Sequence, residues 1–141
     1  MSKSKIPDAL RRIIIEQFEP HCVYCQSDRD TMGTIFTIDH IIPESEGGKT
    51  ERGNLCFSCW DCNRIKSNKL GGVDPISQKF TDLFHPQRQN WSEHFHWSSD
   101  GLRIVGKTAT GRVTIEALQL NREGLSNARA RWVDSGWHPP K

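Results

Sequence analysis

Leu10, Ile14 and Phe18 recur every four residues, and this apolar stripe predicts a helix opened by Pro7 at a first-turn position and stopped by Pro20. A cysteine-containing turn follows. Residues 34–42 are β-branched and aromatic with few helix formers, which predicts a strand that Pro43 terminates. Residues 44–53, with Gly47-Gly48, read as a loop. Asn54 to Phe57 reads as a second short strand, and Asp61 as the cap of a helix running to about Leu70, before Gly71.

Beyond Gly71-Gly72 and the turn-prone Asp74-Pro75 the pattern changes. Glu93, Phe95 and Trp97 alternate with His94 and His96, and Ser98-Ser99-Asp100-Gly101 leads into Leu102 to Val105, which predicts a hairpin. Leu118, Leu125, Ala128 and Trp132 have helical spacing that Asn121 and Gly124 break into two helices. Trp91, Trp97, Trp132 and Trp137 are read as an aromatic core joining this extension to the first half. His94 and His96 lack partnering Cys or Asp, so they are read as structural rather than as metal ligands. The expected organisation is residues 1–72 as one core and 73–141 as an extension packed on it, a candidate DNA-contacting or dimer element.

Composition bounds the chain without naming a function. With 141 residues, 35% hydrophobic and 26% charged, it is ordinary globular material. A core of this size is modest and benefits from a staple. The net charge of +2, from 19 basic and 17 acidic side chains, does not announce a nucleic-acid binder. The longest apolar run near the start is Ile13-Ile14-Ile15, too short for a secretory core or membrane span, so a cytoplasmic protein with no membrane partner is expected. In a reducing compartment five cysteines argue for metal or catalytic thiols over disulfides.

Spacing points to metal. Cys22-Val23-Tyr24-Cys25 and Cys59-Trp60-Asp61-Cys62 are two C-x-x-C pairs, each able to put two thiolates on one side of a tight turn. Four thiolates complete a tetrahedral Zn²⁺ shell, and such a site contributes folding energy directly. Cys56 is the spare, read as a buried strand thiol. The gap between the pairs exceeds that of a usual zinc ribbon, so the inserted segment is where chemistry is expected.

That insertion carries Asp39-His40-Ile41-Ile42-Pro43, then Gly47-Gly48, then Asn54-Leu55, with Asn63 directly after the last cysteine and Lys66 three residues on. In order and interval these elements resemble the HNH endonuclease family, in the branch whose ββα-metal motif is braced by two zinc knuckles. The likeness covers roughly residues 21–70. The residue types also suit phosphodiester hydrolysis, which needs a base for water, a cation on the scissile phosphate and rigid placement of both. His40 is the candidate base. Asp39 and Asn63 offer oxygen ligands for a hard cation, Mg²⁺ or Mn²⁺. The resemblance implies that Asn54 orients His40. Asn63 stands where many members have histidine, and Ser67 where some have a further ligand, which implies a loosely held ion. Adjacent strand residues face opposite ways, so Asp39 and His40 serve one site only if the strand ends or twists there.

Arg52, Arg64, Lys66 and Lys69 flank the candidate site and are read as phosphate contacts, a solvated helix face being the alternative. In the extension Arg103, Lys107 and Arg112, followed by Arg122, Arg129 and Arg131, are candidates for gripping a duplex. Arg122 and Arg129 share a face with Leu125 and Trp132, so the alternative for them is to lie over the core. The expectation is an α+β protein: an N-terminal helix, a small ββα-metal core clipped by a four-cysteine zinc site, and a hairpin-plus-helix extension. Its expected activity is metal-dependent hydrolysis of DNA, by nicking or double-strand cleavage. The alternatives are a non-catalytic zinc module that binds nucleic acid and an RNA-cleaving enzyme. Low net charge implies weak, salt-sensitive non-specific binding, so a homodimer or protein partner is a candidate source of affinity.

Overall fold

In the computed structural model, which describes residues 5–140, Asp8–Phe18 forms helix α1. Its apolar stripe packs as the spacing requires: Ile14 is fully buried, and Leu10, Ile15 and Phe18 close over Ile38, Leu55 and Phe57. Burying one such side chain is worth about 1.5–3 kcal/mol, so this cluster is the main apolar support of the strands beneath it.

Those strands are β1 (Phe36–His40) and β2 (Leu55–Cys59), an antiparallel pair in which Ile38 opposes Phe57 and His40 opposes Leu55. Both differ from the sequence expectation. β1 stops at His40, short of Pro43, because Ile41 N–H turns to donate to Asn54 O at 2.8 Å. β2 begins after Asn54, which closes the 3₁₀ turn Arg52–Asn54, and runs on through Cys59 with every residue buried. Between α1 and β1, Asp28 caps the short helix α2 (Arg29–Met32) by accepting from Asp30 N–H and Thr31 N–H. Helix α3 (Trp60–Lys66) follows β2 directly. Its cap is Cys59, whose Sγ accepts from Cys62 N–H at 3.4 Å, and not Asp61; it ends at Lys66, four residues earlier than expected. Strand, strand and helix therefore form one ββα unit, with α3 packed on both strands.

The described chain divides into two compact units. The first comprises residues up to Lys69 together with His85–Gln89, which returns to it; the second comprises Leu70–Phe84 and the chain from Asn90 onward. In the first unit Gln87 donates to Leu55 O at 2.9 Å and exchanges amide bonds with Gln17.

The second unit holds two further antiparallel pairs, β3 (Gly71–Val73) with β4 (Phe80–Asp82) and β5 (Phe95–Trp97) with β6 (Ile104–Gly106). The turn α4 (Trp91–His94) precedes β5, and helices α5 (Ala109–Leu118) and α6 (Glu123–Asp134) follow β6. The two helices lie where the pattern put them; the hairpin does too, except that Glu93 and His94 belong to the turn α4 and the second strand is Ile104–Gly106 in place of Leu102 to Val105. Asn121 separates the helices because its amide is committed to Ile104 N–H and Ile104 O, at 2.7 and 2.8 Å. Gly111 is required sterically: a Cβ there would collide with His94 O. Ring contacts link Trp91 to Phe95 and Trp97, and link Trp97 and Trp132 to His138, all inside this unit. Trp137 departs from its expected core role, being 63% exposed. Arg129 is fully buried rather than lying over the core; it donates to Leu102 O, Leu120 O and Asn121 Oδ1 and lies over the Trp97 ring. No helix among the described residues is long and apolar enough to cross a membrane.

Candidate active site and metal cluster

The two C-x-x-C turns meet. Cys22, Cys25, Cys59 and Cys62 are all buried, and their Sγ atoms lie within 4.8 Å of one another. Cys25 and Cys59 Sγ are 3.8 Å apart. A tetrahedral ion with bonds of about 2.3 Å requires sulfur–sulfur separations of about 3.8 Å, so the cluster has the dimensions of a metal shell. Local sequence makes it so. Gln26 takes a left-handed φ of 61°, Gln26 N–H returns to Cys22 O, and Cys22 N–H bonds Ser27 O, closing the first turn. Val23 N–H then ties that turn to Phe57 O of β2. Burial pushes the Cys22 thiol up, whereas S–H···S bonds from Cys22, Cys59 and Cys62 hold Cys25 well below the ordinary thiol range. Buried thiolates packed this closely repel one another, and a bound cation offsets that repulsion. Cys56 is outside the cluster, a buried strand residue with Sγ 3.9 Å from Tyr24 Oη.

Asp39, His40 and Asn63 line one cleft of about 520 Å³, together with Glu44, Trp60, Arg64, Ser67 and Asn68 among others. Alternation along a strand would send Asp39 and His40 to opposite faces. They share the cleft because β1 ends at His40, and both are buried, at 6% and 3% exposure. Asn63 and Arg64 reach the same cleft from α3.

The chain that leaves His40 is held at nearly every polar group. Asn54 Oδ1 accepts from Ile42 N–H at 2.8 Å, and its Nδ2 donates to Ile42 O and Lys49 O, both at 3.0 Å. Gly48 belongs to this knot, because a Cβ there would collide with Ile42 O. The bonds of Asn54 thus go to the loop that follows His40, so any orienting effect on His40, the role the family resemblance implies, runs through the backbone. The direct partner of His40 is one the sequence reading missed. Thr50 Oγ1 lies 2.8 Å from His40 Nε2, with Glu44 Oε1 at 3.8 Å from the same nitrogen. His40 Nδ1 is buried with no protein partner. The signal for Thr50 was weak, since a threonine in a loop has no periodicity to mark it.

The basic residues sort differently from expectation. Lys66 is 2% exposed and its ammonium donates to Ile41 O at 2.7 Å, so it is a strut from α3 to the end of β1 and not a phosphate contact. Arg112 is committed to Asp74 as a two-pronged fork, at 2.8 and 3.0 Å, so it does not reach out for a duplex. That guanidinium holds the Asp74 carboxyl well below the usual carboxylate range. Arg52, Arg64 and Lys69 are exposed in the first unit, as are Arg103 and Lys107 in the second; Arg64 pairs loosely with Asp61 at 3.8 Å, and Lys107 donates to Ser92 O. His94 Nδ1 lies 2.7 Å from Thr108 Oγ1, and His96 Nδ1 lies 3.1 Å from Trp97 O.

Comparison with known proteins agrees with the geometry of the first unit. The family model described as HNH endonuclease matches residues 22–69, which begin at the first cysteine and span both knuckles, β1, β2 and α3. The chain is also similar to the Septu protein PtuA of Bacillus mycoides (strain KBAB4), with 27% identity over 149 aligned residues covering 86% of this chain. It spans only about one fifth of that relative's length. A ββα unit between paired cysteine turns, an Asp-His pair at a strand end facing a helix asparagine, and the family match agree: residues 22–69 match the HNH endonuclease family model, within an α+β chain whose four clustered cysteines can hold a metal ion.

Proposed function

We propose that this domain hydrolyses phosphodiester bonds in DNA, with His40 as general base, a divalent cation held by Asp39 and Asn63, and Zn²⁺ in the four-cysteine cluster. The observation that carries the reading is that Asp39, His40 and Asn63, drawn from a strand end and a helix, line one cleft. The donor set fits a hard cation: one carboxylate and one amide oxygen, neither preferring a soft metal. Mg²⁺ or Mn²⁺ bound there supplies charge neutralisation on the scissile phosphate and the departing oxygen.

The remaining work falls to the protein. Thr50 engages His40 Nε2, which orients the imidazole and leaves Nδ1 as the nitrogen without a protein partner, the condition for accepting a proton from the attacking water. Asn54 and Lys66 hold the chain after His40, so the ring is positioned before substrate binds. Arg64, on the cleft wall, contacts a substrate phosphate. With a net charge of +2, the chain gains further affinity from a second copy or a partner protein.

The reading is tested by converting supercoiled plasmid to nicked or linear product while Mg²⁺ is titrated. Asp39→Asn and Asn63→Ala are expected to need more Mg²⁺ for half-maximal rate than the parent. Cleavage by both variants with the parent's Mg²⁺ dependence would contradict the ligand assignment, and cleavage of RNA in preference to DNA would contradict the substrate.

A further inference from the structure

Trp60 is an apolar side chain on the wrong side of the surface. It is 51% exposed and lines the same cleft as Asp39, His40 and Asn63, with Arg64 one helical turn further on. Burying an indole is among the most favourable single-residue contributions available to a small core, and Trp91, Trp97 and Trp132 each find ring partners. Trp60 instead stands open beside the chemistry.

It is also held rigidly. Its neighbours on either side of the turn, Cys59 and Cys62, are cluster sulfurs, and Trp60 N–H donates to Ile35 O at 2.9 Å. The backbone that carries the ring is therefore pinned to Ile35, the residue before β1, and only two side-chain torsions remain to be ordered. A flat π-face at a fixed position next to a phosphate-handling site is what a nucleobase stacks upon, and such stacking tolerates any base. In a continuous duplex both faces of each base are already covered by neighbours, so the ring has a partner only where a nucleotide is unpaired or displaced. The polar side chains around it are consistent with this use: Arg64, loosely paired to Asp61 at 3.8 Å, releases at little cost to meet the flanking phosphate.

We propose that Trp60 is a stacking platform for an unpaired DNA base beside the scissile phosphate, so that the preferred substrate is single-stranded or locally opened DNA. The assignment rests on the nucleic-acid reading of the cleft, but not on cleavage itself.

The test is a binding measurement in the His40→Ala background, where substrate survives: fluorescence anisotropy of a short labelled DNA strand, the same strand as duplex, and its RNA equivalent, all with Mg²⁺ present. Trp60→Leu keeps the apolar bulk and removes the π-face; it is expected to weaken single-strand DNA binding by about 5- to 100-fold, with duplex binding changed by less than about twofold. Trp60→Phe, which retains a ring, is expected to stay within about tenfold of the parent and to bind more tightly than Trp60→Leu. Unchanged single-strand binding by Trp60→Leu would overturn the proposal. So would equal losses on single strand and duplex, or tighter binding of RNA with the same dependence on Trp60. If Trp60-dependent binding persists while plasmid cleavage is never seen, the catalytic reading fails and the stacking platform stands.

Discussion

Lys66 Nζ donates to Ile41 O at 2.7 Å from a side chain that is only 2% exposed, one residue beyond the end of β1 at His40. The helix that carries Asn63 is thereby tied to the strand that carries Asp39 and His40. Replacing Lys66 with Met removes the donor and leaves a buried carbonyl unpaired, with an expected loss of about 1–3 kcal/mol in stability. Because Lys66 does not face phosphate, the slope of log binding constant against log salt is expected to stay at the parental value. Arg64→Ala is expected to shallow that slope by about one unit. Denaturant melts and salt-dependent binding titrations separate the strut from the contact.

Thr50 Oγ1 sits 2.8 Å from His40 Nε2, so Thr50→Val removes the group that orients the base while keeping its shape. The expected effect is a fall in kcat on the order of tenfold, a part of the roughly 10²- to 10⁴-fold that general-base catalysis contributes, with KM little changed. Thr50→Ser should restore most of the rate, which a purely structural role for the threonine methyl would not allow.

The cysteine assignment gives a metal count. About one zinc per chain is expected by elemental analysis, lost in Cys25→Ser and retained in Cys56→Ser, since only the former belongs to the cluster. A strong chelator is expected to lower the melting temperature of the parent, because the bound ion contributes to folding. Equal metal content in all three proteins would refute the four-sulfur site.

Asp74 and Arg112 supply an acid-dependent element of stability in the second unit. The Arg112 fork depresses the Asp74 pKa in the folded state, so the pair's contribution is fully present above the unfolded value of about 3.9 and is lost as pH falls through the folded value below it. Asp74→Asn is expected to melt below the parent near neutral pH, and the gap between the two should close as pH drops below about 4. A gap that is constant down to low pH would show that the ion pair contributes nothing through its charge.

Features marked by a period or a paired motif were legible in the sequence. The stripe at Leu10, Ile14 and Phe18 gave α1, the two C-x-x-C pairs gave the cluster, and the break at Asn121 separated α5 from α6. What stayed hidden had no such mark. β3 and β4 are three residues long, β3 begins on Gly71-Gly72, and Val73 and Phe80 are exposed, so no alternation announces them. Gln87 joins the first unit through Leu55 O across 32 residues, and Asp74 finds Arg112 across 38, distances at which sequence carries no pairing signal. Lys66 and Arg129 were misjudged for one reason: long cations are usually at the surface, and these two are buried because backbone carbonyls accept their protons.

The claim that Asp39, His40 and Asn63 form one phosphodiester-cleaving site is most directly tested by the rate at which His40→Ala converts supercoiled plasmid to nicked product at saturating Mg²⁺, beside the parent and with folding checked by circular dichroism. The expected result is steady conversion by the parent and a loss of at least about 10²-fold in the folded variant. Conversion at equal rates by the two proteins would contradict it.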